Sequence, residues 1–244
     1  MIASCAAPRL GERDVHVWTA TLALPAARTI SLAELLSSDE RLRAARFATP
    51  ELRARFIAAR GQLRELLSSY VELSPAAIRF DYSAEGRPSL AAAAARVGVH
   101  FNLSHSDDVV VYAIARVERI GIDVERVRQF SGMEPIAARF FSAAERQQIA
   151  TMPPEAFPLA FHCCWTRKEA YLKAMGLGLT VPLCDFDVSV TPRCTQALLR
   201  TRGGGTDVTR WTLMHFAPNA GYVGAVAVEH PAPAMTYREW KAAD

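Results

Sequence analysis

The sequence predicts an α+β fold made of two similar halves in one chain. Half of the 244 residues are apolar, which is enough for a sizeable core. One order of segments, a strand, then helices, then three strands, occurs twice along the chain. The halves share no visible sequence identity. We place the boundary between them near residue 118, which gives halves 1–118 and 119–244.

The first half begins with an alternating strand and continues with helical periodicity. Glu51 to Leu73 places leucines, Phe56 and Tyr70 on one face of a long helix and its arginines on other faces. The E-G-R-P sequence after Tyr82 predicts a turn. The predicted elements are a strand at Val15 to Thr21, helices at Ser38 to Phe47 and Glu51 to Leu73, and strands at Ile78 to Tyr82, Val99 to Ser104 and Val109 to Arg116.

The second half repeats this order with different residues. The Gly-rich segment 200–207 is expected to be a hairpin loop, and we assign it no phosphate-binding role because no helix follows it. The predicted elements are a strand at Ile120 to Glu125, helices at Met133 to Thr151 and Pro158 to Met175, and strands at Phe186 to Val190, Val208 to Phe216 and Tyr222 to Val228.

Charge and cysteine content exclude several classes of protein. A net charge of +3 is too small for bulk nucleic-acid binding, but seven arginines between Arg41 and Arg64 predict a local basic face that suits phosphates. Five cysteines, including the vicinal pair Cys163 and Cys164, predict a reducing cytoplasm rather than disulfides. No run of about 18 apolar residues is present, so we expect no membrane span. We also expect no export, because no basic segment and no long apolar run precede Cys5.

Two acids in the segment G-I-D-V-E are candidates for a metal site. Strand alternation puts Asp123 and Glu125 on one face, where two like charges need a positive group between them. Taken alone, the pattern also fits a solvated edge strand. Glu169 adds a third carboxylate, and three oxygen donors with no His or Cys nearby in sequence indicate a hard cation such as Mg²⁺.

The segment W-T-R-K-E-A-Y-L-K, residues 165 to 173, predicts a helix with Glu169 and Lys173 along the edge of an apolar stripe. A half-buried carboxylate there needs a cation, either a neighbouring lysine or a metal ion. In F-N-L-S-H-S-D-D, Ser104 and His105 point to opposite faces of a strand and so form no nucleophile and base pair. They suit phosphate binding, while a structural loop histidine is the alternative for His105.

Five motifs, in this order, closely resemble the 4′-phosphopantetheinyl transferase family in its larger, surfactin-synthetase-activating type. They are G-R-P-S-L, F-N-L-S-H-S, G-I-D-V-E, F-F-S-A-A-E and W-T-R-K-E-A-Y-L-K-A-M-G-L-G-L. They span residues 86 to 179, and the helix F-A-T-P-E-L-R-A-R-F-I-A-A-R-G-Q-L-R resembles the family's N-terminal CoA-binding segment. The resemblance implies a pseudo-dimer of two similar α+β halves, which agrees with the repeated order of segments.

The activity that the resemblance implies is transfer of the 4′-phosphopantetheine arm of coenzyme A to a serine hydroxyl of an apo carrier protein. The carrier is an acyl, peptidyl or polyketide carrier, 3′,5′-ADP is released, and Mg²⁺ is the cofactor. By motif matching, Asp123, Glu125 and Glu169 hold the metal, and Glu169 and Lys173 are catalytic. The expected contacts with coenzyme A come from Arg55, Arg60, Arg87, Ser104, His105, Asp123 and Lys168. Glu145 matches a family motif and is interpreted as structural support.

The chain departs from the family pattern in its phosphate-binding cations. The usual G-K-P is G-R-P here, which keeps the positive charge of residue 87 and changes its geometry. Family lysines that precede the basic helix have no Lys counterpart, and Arg41, Arg43 and Arg46 are the nearest substitutes. We expect a monomer whose partners are coenzyme A and a carrier protein, with no nucleic acid and no membrane.

Two other classes of function fit parts of the pattern. A magnesium-dependent nuclease also uses separated acids followed by an E-x-x-x-K ridge, although it needs a long basic groove. A non-catalytic carrier-protein binding module would share the fold, but it has no reason to keep three unpaired carboxylates. Only the transferase adds mass to a carrier protein, and this difference separates the three hypotheses.

Overall fold

The computed structural model describes residues 9–84, 86–176, 181–192, 194, 197–201 and 208–241, and each half begins with a strand, three helices and two short strands. The first half consists of β1 (Asp14–Thr21), α1 (Ala26–Glu34), α2 (Ser38–Ala45), α3 (Pro50–Val71), β2 (Phe80–Tyr82), β3 (Pro88–Leu90), α4 (Ala92–Ala95), β4 (His100–Ser106) and β5 (Val109–Ala115). The second half consists of β6 (Ile120–Arg126), α5 (Met133–Phe140), α6 (Ala143–Ala150), α7 (Phe157–Met175), β7 (Phe186–Val188), β8 (Leu198–Thr201), β9 (Thr212–Phe216), β10 (Tyr222–Val228) and β11 (Ala234–Glu239). The predicted α+β class is confirmed.

The two main sheets have the same internal connectivity. In the first, the order is β1-β5-β4, and in the second it is β6-β10-β9, with every neighbouring pair antiparallel. The last strand of the chain, β11, pairs in parallel with the free edge of β1. Small hairpins, β2-β3 and β7-β8, follow the long helix of each half. The repeated topology confirms the prediction of two similar halves.

Strand alternation sorts the side chains into a central core and two outer cores. Val15 and Val17 of β1 pack with Ile122 and Val124 of β6 in a cluster between the two sheets. Residues of opposite parity, such as Trp18, pack against the long helix of their own half. Helix α7 contributes to a separate core on the outer face of the second sheet. Each half therefore buries one sheet face against its helix and the other against its partner half.

The predicted helix from Met133 to Thr151 is two helices, α5 and α6. The chain leaves the helical conformation at Phe141, and Ser142 starts the next helix as an N-cap. The Glu145 amide donates to Ser142 Oγ at 3.2 Å, and the Ser142 amide donates to Glu145 Oε2 at 2.7 Å. This reciprocal capping box stabilises a new helix start, which the apolar periodicity alone did not reveal.

Other differences from the sequence-based prediction concern short or exposed elements. The predicted strand at 208–216 begins with a 3₁₀ turn at Val208–Arg210. The elements α1, β3, α4, β8 and β11 were not predicted, so the helices of the two halves are followed by four and five strands instead of three. Residues 202–207 of the Gly-rich segment lie outside the described residues. Among the helices that the structure describes, none has the length and apolar character needed to cross a bilayer.

Gly121 permits helix α7 to lie directly on strand β6. A Cβ atom at Gly121 would lie 2.1 Å from the Ala170 carbonyl oxygen and 2.4 Å from the Ala174 amide nitrogen. Both neighbours are backbone atoms of α7, so no side-chain rotation relieves the overlap. The glycine of G-I-D-V-E therefore sets the distance between β6 and α7, the two elements that carry the candidate metal-binding acids.

We predict that Gly121→Ala lowers the free energy of unfolding by more than about 2 kcal/mol, because α7 has to move away from β6. Urea denaturation of the purified protein measures this change. Gly132→Ala is the matched control: the atoms nearest to its Cβ are side-chain atoms of Phe130, at 3.2 Å, and of Ile136, at 3.9 Å, and we expect a loss of about 1 kcal/mol or less. Equal losses in the two variants would contradict the role given to Gly121.

Candidate active site

The two halves meet along β4 and β6, where polar side chains of β4 bind β6. Asn102 Oδ1 accepts a hydrogen bond from the Ile122 amide at 3.0 Å, and Ser106 Oγ accepts one from the Arg126 amide at 3.1 Å. Asn102 and Ser106 lie on the same face of β4, four residues apart. These contacts fix the position of one half against the other along the strand direction.

The same face of β4 binds the two acids of β6. Ser104 Oγ donates to Asp123 Oδ1 at 2.7 Å, and Ser106 Oγ donates to Glu125 Oε2 at 2.8 Å. Sequence reasoning selected Ser104 and missed Ser106 and Asn102. Their spacing of two residues on either side of Ser104 was the signal that could have identified them, because alternate residues of a strand share a face.

Helix α7 brings Lys173 into this group. Its ammonium Nζ donates to Asp123 Oδ1 at 2.7 Å, to Ser104 Oγ at 3.0 Å and to the Ile122 carbonyl at 3.1 Å. Glu169 lies one helical turn earlier and is partly buried. Lys173 is thus a cation bound directly to one of the carboxylates, and it joins residues from both halves.

The three carboxylates influence one another. Burial and the negative charge of Asp123 raise the pKa of Glu169, with a smaller rise from Glu125, while Lys173 acts in the opposite direction. Burial and Asp123 also raise the pKa of Glu125, against the lowering effects of Ser106 and Lys173. The acids are therefore close enough to repel one another, and adding positive charge between them would relieve that repulsion.

The carboxylates of Asp123, Glu125 and Glu169 are oxygen donors of the kind that a hard divalent cation binds. Among the described residues, no group of three or more His, Cys, Asp or Glu side chains is already arranged as a metal site. However, Asp123 Oδ2 is buried and has no hydrogen-bond partner within the described part of the chain. A free, buried carboxylate oxygen beside two further acids is the donor set that a hard divalent cation prefers. The chemistry of the residues fits Mg²⁺, and the ligand assignment stays a prediction.

A cleft of about 560 Å³ adjoins the carboxylates and is lined by Ser104 and Lys173. Four arginines also line it: Arg43, Arg55, Arg60 and Arg128. The structure thus brings a basic surface and the acid cluster together. Such a combination suits a ligand that carries several phosphate groups.

Arg60 is the most buried of these arginines, with 6% of the residue exposed. It forms an ion pair with Glu40 at 3.3 Å, and its guanidinium lies 5.2 Å from the centre of the Phe80 ring. Its Nη1 is buried and lacks a hydrogen-bond partner among the described atoms. Arg55 is more exposed and forms an ion pair with Asp108 at 2.9 Å. Both predicted arginines line the cleft, but each is already paired with an acid.

His105 also lines the cleft, on the face of β4 opposite to Ser104, and it is exposed. Partial burial of the ring, together with the positive charges of Lys173 and Arg55, lowers the pKa of His105, while Asp123 raises it. The neutral imidazole is therefore favoured relative to a free histidine. As predicted, Ser104 and His105 face different directions and make no catalytic pair.

Arg87 was expected to bind a phosphate of coenzyme A, and the structure uses two of its nitrogens differently. Nη1 donates to the Lys173 carbonyl at 2.6 Å and Nη2 donates to the Ile120 carbonyl at 2.8 Å. The flanking residues of its turn, Gly86 and Pro88, line the cleft. The guanidinium of Arg87 is thus bound to backbone of the second half.

Lys168 corrects another expectation. It is fully buried, and its Nζ donates to the carbonyls of Leu183 at 2.7 Å and Phe186 at 2.8 Å and forms an ion pair with Glu145 at 2.8 Å. All of its donors are directed into the core of the second half, so the side chain has no access to a ligand. Glu145 also accepts from the Val188 amide at 2.8 Å, in agreement with its interpretation as structural support.

Comparison with known proteins agrees with this architecture. Residues 119–227 match the family model described as the 4′-phosphopantetheinyl transferase superfamily, and residues 24–117 match the one described as 4′-phosphopantetheinyl transferase, N-terminal. The chain is similar to the 4′-phosphopantetheinyl transferase HetI of Nostoc sp., with 40% identity over 88% of this chain and 87% of the relative. It is also similar to the 4′-phosphopantetheinyl transferase Sfp of Bacillus subtilis, with 31% identity over 63% and 66% of the two chains.

A solved structure, the holo-[acyl-carrier-protein] synthase of Thermotoga maritima, matches with 21% identity and a TM-score of 0.32 over 46% of this chain and 62% of that protein. Two similar α+β halves in one chain, with acidic and basic side chains at their junction, define the architectural class. The two family models and the long match to HetI then identify it: the chain belongs to the 4′-phosphopantetheinyl transferase superfamily.

We predict that Lys168→Met destabilises the fold by about 3–5 kcal/mol, because it leaves Glu145 buried without its cation. Adding Glu145→Gln should restore part of this loss, since it removes the unpaired charge. Lys241→Met is the control, because this lysine is largely exposed, and we expect no measurable change. Chemical denaturation tests all three variants. Wild-type stability in Lys168→Met with a raised KM for coenzyme A would return Lys168 to ligand binding.

Proposed function

We propose that this enzyme transfers the 4′-phosphopantetheine arm of coenzyme A to a serine hydroxyl of an apo carrier protein and releases 3′,5′-ADP. The observation that carries the proposal is the group formed by Lys173, Asp123 and Ser104 beside Glu169, at the edge of an arginine-lined cleft. Membership of the superfamily supports the same reaction.

The reaction needs a nucleophile, a proton acceptor and charge stabilisation. The serine oxygen of the carrier forms a bond to the β-phosphorus of coenzyme A, and the bond from that phosphorus to the bridging oxygen breaks. The serine proton leaves to a base, and the electron pair of the broken bond stays on 3′,5′-ADP. Little covalent work falls to the protein, so placement and positive charge account for most of the catalysis.

The cationic residues of the cleft are suited to hold coenzyme A. Arg60 and Arg55 offer guanidinium groups to phosphate oxygens, and Ser104, His105 and Lys173 line the same cleft. The unpartnered Nη1 of Arg60 is a donor available to a ligand. Lys173 would stabilise the negative charge that develops on the departing 3′,5′-ADP.

Asp123, Glu125 and Glu169 would hold a magnesium ion. The bound ion would supply positive charge to the pyrophosphate of coenzyme A. The unpartnered Asp123 Oδ2 and the mutual repulsion of the acids support this assignment. Part of the repulsion is already offset by the contact between Lys173 and Asp123.

Glu169 is the candidate base for the serine proton. The carboxylate of a free glutamate, with a pKa of about 4.3, is a weak base for removing a hydroxyl proton. Burial and the charge of Asp123 raise the pKa of Glu169, and a carboxylate with a raised pKa accepts a proton more readily. This role is distinct from metal binding, and the two have separable kinetic consequences.

The remaining assignments concern partners and location. We propose that the enzyme acts as a cytoplasmic monomer on a carrier protein, without nucleic-acid or membrane partners. The small net charge supports the absence of nucleic acid, and the buried free thiols of Cys163 and Cys164 suit a reducing compartment.

Mass spectrometry of a carrier protein tests the proposed reaction directly. Incubation of the wild-type enzyme with coenzyme A, Mg²⁺ and an apo carrier should add one phosphopantetheine arm to the carrier serine. A carrier variant with Ala at that serine is the control and should gain no mass. An unmodified carrier would contradict the transferase, whereas shortened nucleic acid would support the nuclease and carrier binding alone would support the non-catalytic module.

We predict that Asp123→Asn and Glu125→Gln each lower turnover by about 100-fold while leaving the fold intact, because both acids face the site. Turnover and thermal unfolding of each variant provide the measurement. Glu134→Gln, which changes an exposed acid in the first turn of α5, is the control and should keep wild-type turnover. Near-wild-type turnover of either variant at limiting Mg²⁺ would show that this carboxylate is no metal ligand.

We predict unequal effects for Glu169→Gln and Lys173→Ala. If Glu169 is the base, Glu169→Gln lowers kcat at every Mg²⁺ concentration, whereas the loss of a metal ligand alone would be rescued by excess metal. Lys173→Ala should lower kcat with binding of coenzyme A roughly preserved, because its charge is needed mainly in the transition state. Single-turnover rates with titrated Mg²⁺ decide between these roles. An unchanged kcat in Lys173→Ala would remove its leaving-group role.

A further inference from the structure

We propose that Arg87 is a positioning residue that holds Lys173 in place, and that its guanidinium does not bind a phosphate of coenzyme A. The inference rests on the proposed function, because it concerns the turnover of that reaction. It assigns Arg87 to the alignment of α7 against β6 across the junction of the two halves.

The contacts of Arg87 join three elements. Its Nη1 and Nη2 bind the carbonyls of Lys173 on α7 and Ile120 on β6, at 2.6 and 2.8 Å. Arg87 itself belongs to the turn between β2 and β3 in the first half. The planar guanidinium presents several donors in a fixed arrangement, so one side chain can bridge two carbonyls. A lysine has a compact ammonium group and would bridge the same pair less well.

The Lys173 carbonyl belongs to the last turn of α7, where carbonyl groups lack an intrahelical donor. Helix α7 ends at Met175, and Gly176, with a φ of 69°, is its C-cap. Gly176 donates to the Lys173 carbonyl at 3.3 Å, and the shorter bond to the same oxygen comes from Arg87. A cation at this end also opposes the negative end of the helix dipole.

The backbone and the side chain of Lys173 are therefore both held by hydrogen bonds. Arg87 holds its carbonyl, while its Nζ binds Asp123, Ser104 and the Ile122 carbonyl. Arg87 also binds the carbonyl of Ile120, two residues before Ile122 on β6. The last turn of α7 is thus fixed relative to β6 at two points, and the reach of the Lys173 side chain is set by both.

The direction of the turn separates Arg87 from the ligand. Gly86 and Pro88 line the cleft that contains Lys173, whereas Arg87 does not line it; Arg87 lines a neighbouring depression of about 540 Å³ together with Pro88, His100 and Glu118. Burial lowers the pKa of Arg87, with Glu118 opposing this effect. The turn thus uses its glycine and proline as cleft wall and its arginine as an anchor to the second half.

The test combines Arg87→Ala with Lys173→Ala in a double-mutant cycle. We expect Arg87→Ala to lower kcat about 10- to 100-fold, with a KM for coenzyme A within about threefold of wild type, since Lys173 is displaced but the phosphate contacts remain. In the Lys173→Ala background, Arg87→Ala should cost less than about twofold further, because the residue it positions is gone. Arg87→Lys, which keeps one donor group, should fall between wild type and Arg87→Ala.

Two controls separate this role from a general loss of structure and from phosphate binding. Arg79→Ala removes an arginine that binds the carbonyls of Ala76 and Ile78 within its own half, and it should leave kcat unchanged. The ratio of KM values for coenzyme A and 3′-dephospho-coenzyme A should be the same in Arg87→Ala and wild type. A selective rise for coenzyme A, or equal losses from Arg87→Ala in both backgrounds, would overturn the proposal.

Hydrogen–deuterium exchange provides a readout that does not depend on turnover. Arg87→Ala should speed exchange of amides in the last turn of α7, around Lys173 to Gly176, while exchange in α3 stays at the wild-type rate. If the wild-type enzyme adds no mass to a carrier, the proposed reaction has failed, and the exchange data still decide whether Arg87 holds this turn. Unchanged exchange there would overturn the anchoring role even in an active enzyme.

Discussion

The contact between the Lys173 ammonium and the Asp123 carboxylate is the interaction on which the rest of the site depends. It forms because Gly121 allows α7 to approach β6 to within backbone contact distance. Ser104, from the other half of the chain, binds both partners of this ion pair, so the group is complete only when the two halves are joined. The site is therefore a property of the junction and not of either half.

The repeated topology allows corresponding positions of the two halves to be compared. In the seven-residue pairings of β1 with β5 and of β6 with β10, Trp18 and Asp123 are both the fourth residue of their strand. In the first half, Trp18 Nε1 and His16 Nδ1 each lie 2.8 Å from the hydroxyl of Tyr70 on the long helix α3. Where the second half carries an ion pair, the first carries a hydrogen-bonded aromatic network, with the guanidinium of Arg238 over the Trp18 ring. The corresponding positions therefore have different surroundings in the two halves.

Sequence reasoning predicted the elements whose pattern is local and missed what depends on tertiary contacts. Strand alternation correctly put Asp123 and Glu125 on one face, because the period of two is fixed by the backbone. Helical periodicity places Lys168 and Lys173 about 140° apart around the axis of α7, but it did not show which of the two faces the core. Only the packing of Glu145 and the 183–186 segment shows that Lys168 faces the core. The short, mostly polar strand β11 was missed for the same reason, since its pairing with β1 joins distant parts of the chain.

The junction of the two halves carries an excess of negative charge. Asp123, Glu125 and Glu169 lie beside one lysine, Lys173, and their combined negative charge would repel the pyrophosphate of coenzyme A. Two of the four cleft arginines, Arg60 and Arg55, are themselves paired with Glu40 and Asp108 and so offset little of this repulsion, while Arg128 acts on Glu125. A divalent cation among the acids would reverse the sign of the local charge, and the free Asp123 Oδ2 is the oxygen that remains available to it. Under the proposed function, an excess of carboxylates is therefore a requirement for binding an anionic substrate and not an obstacle to it.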